Sequence, residues 1–462
     1  MDGKKQERIF TKTWFGYVIY TLLYIAAVAA SAGGVYSAAG ICLISAAFYL
    51  YGIFAYKEQS LVSLKALFSL SWVGGEGVAC LKLSKLSDDW EWMTWLCFYL
   101  AYFCFCIAYD FWGSRRKAEE KEKKSEEITE KATKKETKKD GRTAKRILIC
   151  IGGLALCSIL CFCLEAAVVG YIPILSSKPH AYSYFHVSGV HYFTVSCILI
   201  PGLSLLYGKV AERISRKAKS VLIFGNLTAF VIPIICVSRF QLLFAVGFAA
   251  VIYLLLYRKI SWKMVVAGVA VLLPMYVILT VFRHHDVAYL NGIFEMKNSK
   301  IPIFVTQPYI YVANNFENFN CMVRDLTAHT HGIRMLFPVW ALSGLKFLFP
   351  QLTAAPVYIT KAELTTLTVF YDAYYDFGVA GIIVFALLLG TVAGWMNRKR
   401  QGTQNPLFFM FYGQMAIYLG LSFFTTWFSN PTTWFWFALT FVMYLFVGYK
   451  KGGKHSDGQK KD

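Results

Sequence analysis

The sequence predicts an all-α polytopic membrane protein of about twelve transmembrane helices with one long extracytoplasmic loop. Three observations carry this expectation. Hydrophobic residues make up 57% of the 462 and charged residues only 16%, with a mean hydropathy of +0.47. A soluble domain cannot bury that much apolar surface, whereas a bilayer covers it. Stretches long enough to cross about 30 Å of hydrocarbon recur along the chain. The Lys/Arg excess, a net charge of +20, falls between those stretches, which is the pattern of membrane topology rather than of nucleic-acid readout.

The apolar stretches lie near 14–30, 38–55, 61–81, 94–112, 147–169, 189–207, 220–237, 240–257, 264–282, 368–396, 405–425 and 431–449. The third is the weakest, since Lys65, Gly74, Gly75 and Glu76 interrupt it. Parity decides in its favour. The basic pieces are the N-terminus (Lys4, Lys5, Arg8, Lys12), 115–146, 208–219, 258–263, 398–400 and the tail. With twelve helices and a cytoplasmic N-terminus all of them fall on the cytoplasmic side, and without the third helix that agreement fails from 115 onward.

The organisation that follows is helices 1–4 over 1–113, a charged cytoplasmic linker over 114–146 and helices 5–9 over 147–282. An extracytoplasmic loop over 283–367, helices 10–12 over 368–449 and a cytoplasmic tail over 450–462 complete it. The start of the chain has a charged segment and an apolar core, and reads as a signal-anchor helix rather than a cleaved signal. The linker alternates Lys and Glu without an apolar stripe, so it reads as solvated and partly helical. Of twelve cysteines, eleven fall in or at the ends of apolar stretches and only Cys321 lies in the long loop. No spacing suggests zinc or a disulfide framework, and no internal repeat is visible.

The chemistry is expected on the extracytoplasmic side, where arginine is scarce unless it serves an anion. At Ser238-Arg239, Ser238 is placed to cap the following helix, which puts Arg239 in a first turn where the helix dipole and the guanidinium fork both favour a phosphate. The competing reading is an arginine snorkelling to lipid phosphates. Arg283-His284-His285-Asp286 opens the long loop with a second cation and possible proton acceptors, or with a polar interfacial cap. Gln307–Arg334 reads as a mobile or half-buried helix pair rich in aromatics and amides, including Tyr309, Tyr311, Asn314, Asn315, Arg324, His329, His331 and Arg334. Such side chains grip sugars, because a pyranose has apolar faces and a polar rim; a surface amphipathic helix is the alternative. Ile333–Phe349 is apolar enough to dip into the bilayer. Tyr371 and the carboxylates Asp372 and Asp376 follow, the two acids four apart on one face. Carboxylates at a membrane mouth are costly unless solvated, paired or used, and arginines of the loop are their natural partners.

These segments resemble the O-antigen polymerase (Wzy-type) family of oligosaccharide repeat-unit polymerases. The residues that carry the resemblance begin with Leu67-Phe68-Ser69-Leu70-Ser71-Trp72, Leu81-Lys82-Leu83-Ser84 and Trp90. They continue with Gly170-Tyr171-Ile172-Pro173-Ile174-Leu175 and Gly189-Val190-His191-Tyr192, then Ser238-Arg239-Phe240-Gln241-Leu242-Leu243. Tyr371 and Asp376-Phe377-Gly378 with Gly381 close the set. The resemblance implies a GT-C-like membrane glycosyltransferase that needs neither metal nor cofactor. It implies donor and acceptor oligosaccharides carried on undecaprenyl diphosphate, joined at the outer face of a bacterial plasma membrane, with a chain-length regulator and a flippase as candidate partners. Arg239, with one or more of Arg283, Arg324 and Arg334, is then expected to stabilise the leaving diphosphate. Asp376, Asp372, His329 or His331 is expected to orient or deprotonate the acceptor hydroxyl, the choice staying open. Tyr309, Tyr311, Asn315 and Tyr371 are the expected sugar contacts.

Three alternatives remain at this stage. A polymer ligase shares the topology and the arginine logic and differs in its acceptor. A lipid-linked oligosaccharide flippase needs charge inside a central cavity and no long outer loop. A non-enzymatic scaffold leaves the outer arginines and carboxylates unexplained.

Overall fold

The computed structural model describes residues 2–126, 141–176, 181–258, 287–353, 355–400 and 402–448, with isolated positions between 262 and 270; over 2–13 and 113–126 it describes the backbone alone. Among the described residues the regular structure is helical, and one isolated antiparallel bridge joins Ser84 to Met296. The long helices of the first half are α1 (Asp2–Ala32), α2 (Tyr36–Glu58), α3 (64–80), α4 (Trp92–Glu126), α5 (Gly141–Val169), α6 (Val190–Val210), α7 (Arg216–Ile235) and α8 (Arg239–Tyr257). The second half holds α9 (Val287–Phe294), α10 (Ile303–Asp325), α11 (Phe337–Leu342), α12 (Tyr371–Arg400), α13 (Phe408–Gly420) and α14 (Pro431–Gly448).

Nine helices among the described residues are long and apolar enough to cross a membrane: α1, α2, α4 to α8, α12 and α14. Their outward faces are apolar. On α1 the stripe Trp14, Val18, Leu22, Ile25 is exposed, and on α5 the stripe Leu156, Leu160, Leu164, Val168. A spacing of three to four residues lays such side chains along one helix face, and a continuous exposed apolar stripe requires lipid.

The three remaining expected spans fare differently. The stretch 61–81 forms α3, built from Leu64–Phe68, a π-turn over Ser69–Val73 and Gly74–Cys80, and is largely buried within the bundle. Its lysine is answered inside the protein: Lys65 Nζ lies 2.7 Å from Asp110 of α4, the Tyr17 hydroxyl donates to the same carboxylate, and the Phe54 ring centroid is 4.0 Å away. The stretch 405–425 yields a shorter helix, because after Gly420 the chain turns and Ser422 O accepts the Val369 N–H. The stretch 264–282 falls outside the described residues.

Helix direction sorts the charge. Arg400 Nη1 reaches Ser60 Oγ at 3.3 Å, Arg146 Nη1 reaches Val447 O at 3.2 Å, and Lys209 Nζ stands 5.5 Å from the Tyr257 ring centroid. These contacts join the basic ends of α2, α5, α6, α8, α12 and α14 at one end of the bundle. The opposite, loop-rich end holds 81–91, 170–176, 181–189, α9 to α11, 355–370 and 421–430. The chain leaves α8 at the basic end and is found again in α9 at the loop-rich end.

The expected helix pair over Gln307–Arg334 is a single helix, α10, followed by a turn. It is mostly buried against α3 and α4, with Phe316 set among Trp72, Trp90 and Phe98. The described residues 287–353 and 355–367 are therefore an integral layer of the fold. Ile333–Phe349 forms α11 and a short helix over Leu345–Leu348, and exposes Val339, Leu342, Phe347 and Leu348.

Backbones approach closely where α12 crosses α4. Ala386, Gly390 and Gly394 recur every four residues, and a Cβ on Gly390 would lie 2.3 Å from the Phe105 carbonyl oxygen; small residues at this spacing let membrane helices pack on their backbones. We expect Gly390→Ala to lower thermal stability in a fixed detergent by about 1–3 kcal/mol, the usual cost of overpacking. Gly153→Ala on α5, where a Cβ meets open space, should leave stability unchanged or raise it by up to about 1 kcal/mol. Equal melting shifts for the two variants would contradict this packing.

Candidate functional site

The site grows from a break in α12. Gly378 has φ +59° and ψ −145°, a conformation outside the range of residues with a side chain, so the first two turns, from Tyr371, separate from the rest of the helix. Both carboxylates of this short piece face the turn that follows α10. Asp376 is fully buried; it accepts the Thr330 hydroxyl, the Met335 N–H at 2.7 Å and the Arg334 N–H at 3.3 Å. The His331 N–H donates to the Asp376 carbonyl at 3.1 Å. Asp376 is thus the anchor of the 330–335 turn, a carboxyl group surrounded by donors. It is not placed as an open base.

Asp372 accepts Arg334 Nε at 2.6 Å, with side-chain exposures of 3% and 15%. The guanidinium carbon lies 4.8 Å from the Tyr375 ring centroid and 5.5 Å from that of Tyr371. Burial works against the Arg334 charge, but the Asp372 carboxylate overrides it and holds the guanidinium above its ordinary pKa. Arg334 therefore stays cationic beside two rings, and its Nη1 donates to Pro356 O at 3.5 Å. Tyr371 is fully buried, and its hydroxyl donates to Tyr358 O and accepts the Tyr358 N–H, each at 2.9 Å. It braces Arg334 and is not a sugar platform.

His329 lies beside this pair. Its Nδ1 is 3.1 Å from the Tyr375 carbonyl oxygen, an acceptor, so Nδ1 donates this hydrogen bond and Nε2 is the nitrogen left outside it. The ring meets Tyr374 edge to face at 5.9 Å and packs on Gly378. His331 is exposed, its ring 6.4 Å from that of Phe377.

The other expected site residues separate into groups. Arg324 is bonded to Asp88 and Asp325, each at 2.9 Å, and those hydrogen bonds push its pKa up; its charge is already balanced. Tyr309 is buried, and its hydroxyl accepts the Leu83 N–H at 2.8 Å. Asn315 is fully buried and donates to Tyr311 O and Phe423 O at 2.7 Å. Tyr311 alone of the expected α10 sugar contacts is exposed. Ser238 does cap α8, accepting the Gln241 N–H, and Arg239 opens that helix next to Val237, whose φ of +54° is strained for a β-branched residue. Phe240 stacks on Phe424 at 5.3 Å, and Ser429 Oγ contacts Met335 Sδ at 3.6 Å. Segment 421–430 thereby touches both the start of α8 and the Arg334 turn. Arg283, with His284, His285 and Asp286, falls outside the described residues.

Two constellations were not foreseen. Glu165 of α5 is fully buried; its carboxylate accepts the Val187 N–H at 2.8 Å and meets His191 Nδ1 at 3.1 Å. Its signal was available, since Glu165 is the sole acid of 147–169. The second is Lys82–Glu317 at 2.8 Å, each side chain 2% exposed, with the Lys82 ammonium 4.6 Å from the Trp90 ring centroid. Nothing in the local sequence joins residues so far apart. Groups of three or more His, Cys, Asp or Glu side chains able to hold a metal do not occur among the described residues.

Comparison with protein-family models, curated proteins and solved structures returns no match.

Burial outweighs the Lys82 ammonium at Glu317 and pushes its carboxyl up to about 6 from the ordinary 4.5. The fold thus holds this proton more tightly than the unfolded chain does. Its stabilising contribution is complete below pH 4.5 and is lost as the pH rises through about 6. Thermal unfolding followed across that window should show a decline in the wild type that Glu317→Gln flattens, and parallel curves would refute the assignment.

Proposed function

We propose that this protein polymerises oligosaccharide repeat units carried on undecaprenyl diphosphate, by glycosyl transfer at the outer face of a bacterial plasma membrane. The observation that carries the reading is the permanently charged Arg334, held by Asp372 over Tyr371 and Tyr375 beside an oriented His329. The placement of the basic helix ends at the opposite end of the bundle supports an outward-facing site through the positive-inside tendency. In this reading the apolar sequence stretches 61–81, 264–282 and 405–425 cross as well, which puts both termini in the cytoplasm. A GT-C-like arrangement belongs to this proposal as well.

The reaction is a displacement at the anomeric carbon of the growing glycan. A hydroxyl of the next lipid-linked unit attacks that carbon and a new glycosidic C–O bond forms. The bond to the diphosphate breaks, and the electron pair leaves with undecaprenyl diphosphate. Negative charge grows on the leaving phosphate, where Arg334 is already desolvated and oriented, so little reorganisation is needed at the moment of reaction. His329 Nε2 takes the hydroxyl proton. Arg239, at the start of α8 and linked to the same 421–430 segment, is the second phosphate contact in this reading. The reaction joins two diphosphate-bearing lipids, so two cationic positions at one mouth suit it.

Proteoliposomes supplied with the native undecaprenyl-diphosphate repeat unit test this. Wild type should give a ladder of products on a gel. Arg334→Ala should reduce the transfer rate by about 10²–10³-fold, as loss of one preorganised charge donor does, while Arg324→Ala should stay within about threefold, its charge being balanced at the surface. An undiminished ladder from folded Arg334→Ala would overturn the placement of the site. Absence of any ladder from folded wild type would overturn polymerisation.

A further inference from the structure

The basic end of the bundle holds a cavity of ≈ 470 Å³ between α2 and α8 that glycosyl transfer does not use. Its size lies within the about 300–1,000 Å³ of small-molecule sites. The lining includes the apolar Leu61, Leu254 and Phe409, while Arg258 and Arg400 are its charged groups.

Both arginines are placed by the backbone. Arg258 follows the last turn of α8 with φ +53°, its N–H bonded to Leu254 O, a conformation uncommon for a residue with a side chain. Arg400 ends α12; it donates to Ser60 Oγ at 3.3 Å and its guanidinium lies 4.7 Å from the Tyr412 ring centroid. No acidic side chain among the described residues lines the cavity. Glu58, next to it in sequence, accepts the Tyr109 hydroxyl at 2.8 Å and is felt electrostatically by Arg400, so Arg258 is the cation of the pair with no carboxylate in the lining or beside it in sequence. Tyr56, 87% exposed, stands at the rim, where an amphipathic ring suits the bilayer interface.

We propose that this cavity binds an anionic phospholipid, its phosphate between Arg258 and Arg400 and an acyl chain along Leu61, Leu254 and Phe409. Guanidinium forks match phosphate geometry, and basic clefts between membrane helices hold lipid headgroups. The apolar wall separates the lipid from a free anion: inorganic phosphate would use the rim and leave the wall in contact with water or detergent. The site is independent of the catalytic reading, since it lies at the other end of the bundle.

The test is native mass spectrometry of the full chain in neutral detergent, titrated with phosphatidylglycerol. Wild type should retain the lipid, and Arg258→Gln/Arg400→Gln should bind it about tenfold more weakly. Arg400 also braces Ser60 and Tyr412, so Arg258→Gln alone and Leu254→Trp, which fills the wall, provide variants free of that complication; each should lower retention. Phosphatidylcholine should bind more weakly than phosphatidylglycerol, and excess inorganic phosphate should fail to displace the lipid. Unchanged retention in Arg258→Gln and Leu254→Trp would overturn the proposal. So would equal binding of phosphatidylcholine, which makes the groove blind to charge, or displacement by phosphate, which makes it a free-anion site.

Discussion

Backbone N–H and C=O groups away from water must find partners inside the protein, and this constraint shapes the loop-rich end. Helices satisfy their own. The irregular stretches 81–91, 355–370 and 421–430 do not, and the asparagines of α10 do it for them. Asn318 donates to Leu364 O and Thr366 O and accepts the Thr360 N–H; Asn320 accepts the Glu91 N–H and donates to Asp89 O; Asn315 donates to Phe423 O. One helix thus fastens three loops from its buried face. Each such bond contributes only about 1 kcal/mol net, but an orphaned partner costs about 1–3 kcal/mol, so the set holds together or fails together.

The same logic explains why so many polar residues yield so few candidates for chemistry. Asp376 holds the 330–335 turn, Asp372 holds Arg334, Tyr371 holds the irregular segment at Tyr358, and Arg324 is balanced by Asp88 and Asp325. With these committed, the ionisable side chains of the turn that stay exposed are those of His329 and His331, beside the partly exposed Arg334. The break at Gly378 makes this possible, because only a kinked α12 turns its first two turns toward the chain leaving α10. A straight helix would carry Asp372 and Asp376 along the bundle instead.

The membrane architecture was legible in composition and in the spacing of apolar stretches, since lipid exposure leaves a mark on every residue of a helix face. What was not legible depends on partners distant in sequence. Lys65 counted against a third helix until Asp110, on another helix, supplied its counter-ion. The amides and aromatics of α10 suggested a sugar grip because the groups that hydrogen-bond a hydroxyl also hydrogen-bond a peptide, and the chain alone does not say which partner is present. The stretch 405–425 is apolar throughout, yet its helix stops at Gly420 where Ser422 is drawn into contact with Val369 and Ser71. In the site, the Asp372–Arg334 pairing was foreseeable as a carboxylate seeking an arginine; the orientation of His329 by the Tyr375 carbonyl was not.

The central claim is that the two carboxylates position and the histidine accepts the proton. A pH–rate profile of transfer in proteoliposomes, measured for wild type, Asp372→Asn, Asp376→Asn and His329→Gln, tests it directly. The account predicts that the acidic limb of the profile keeps its midpoint in both aspartate variants, at reduced rate, and disappears in His329→Gln. Loss of that limb in Asp372→Asn or Asp376→Asn, with the His329 variant unaffected, would contradict it.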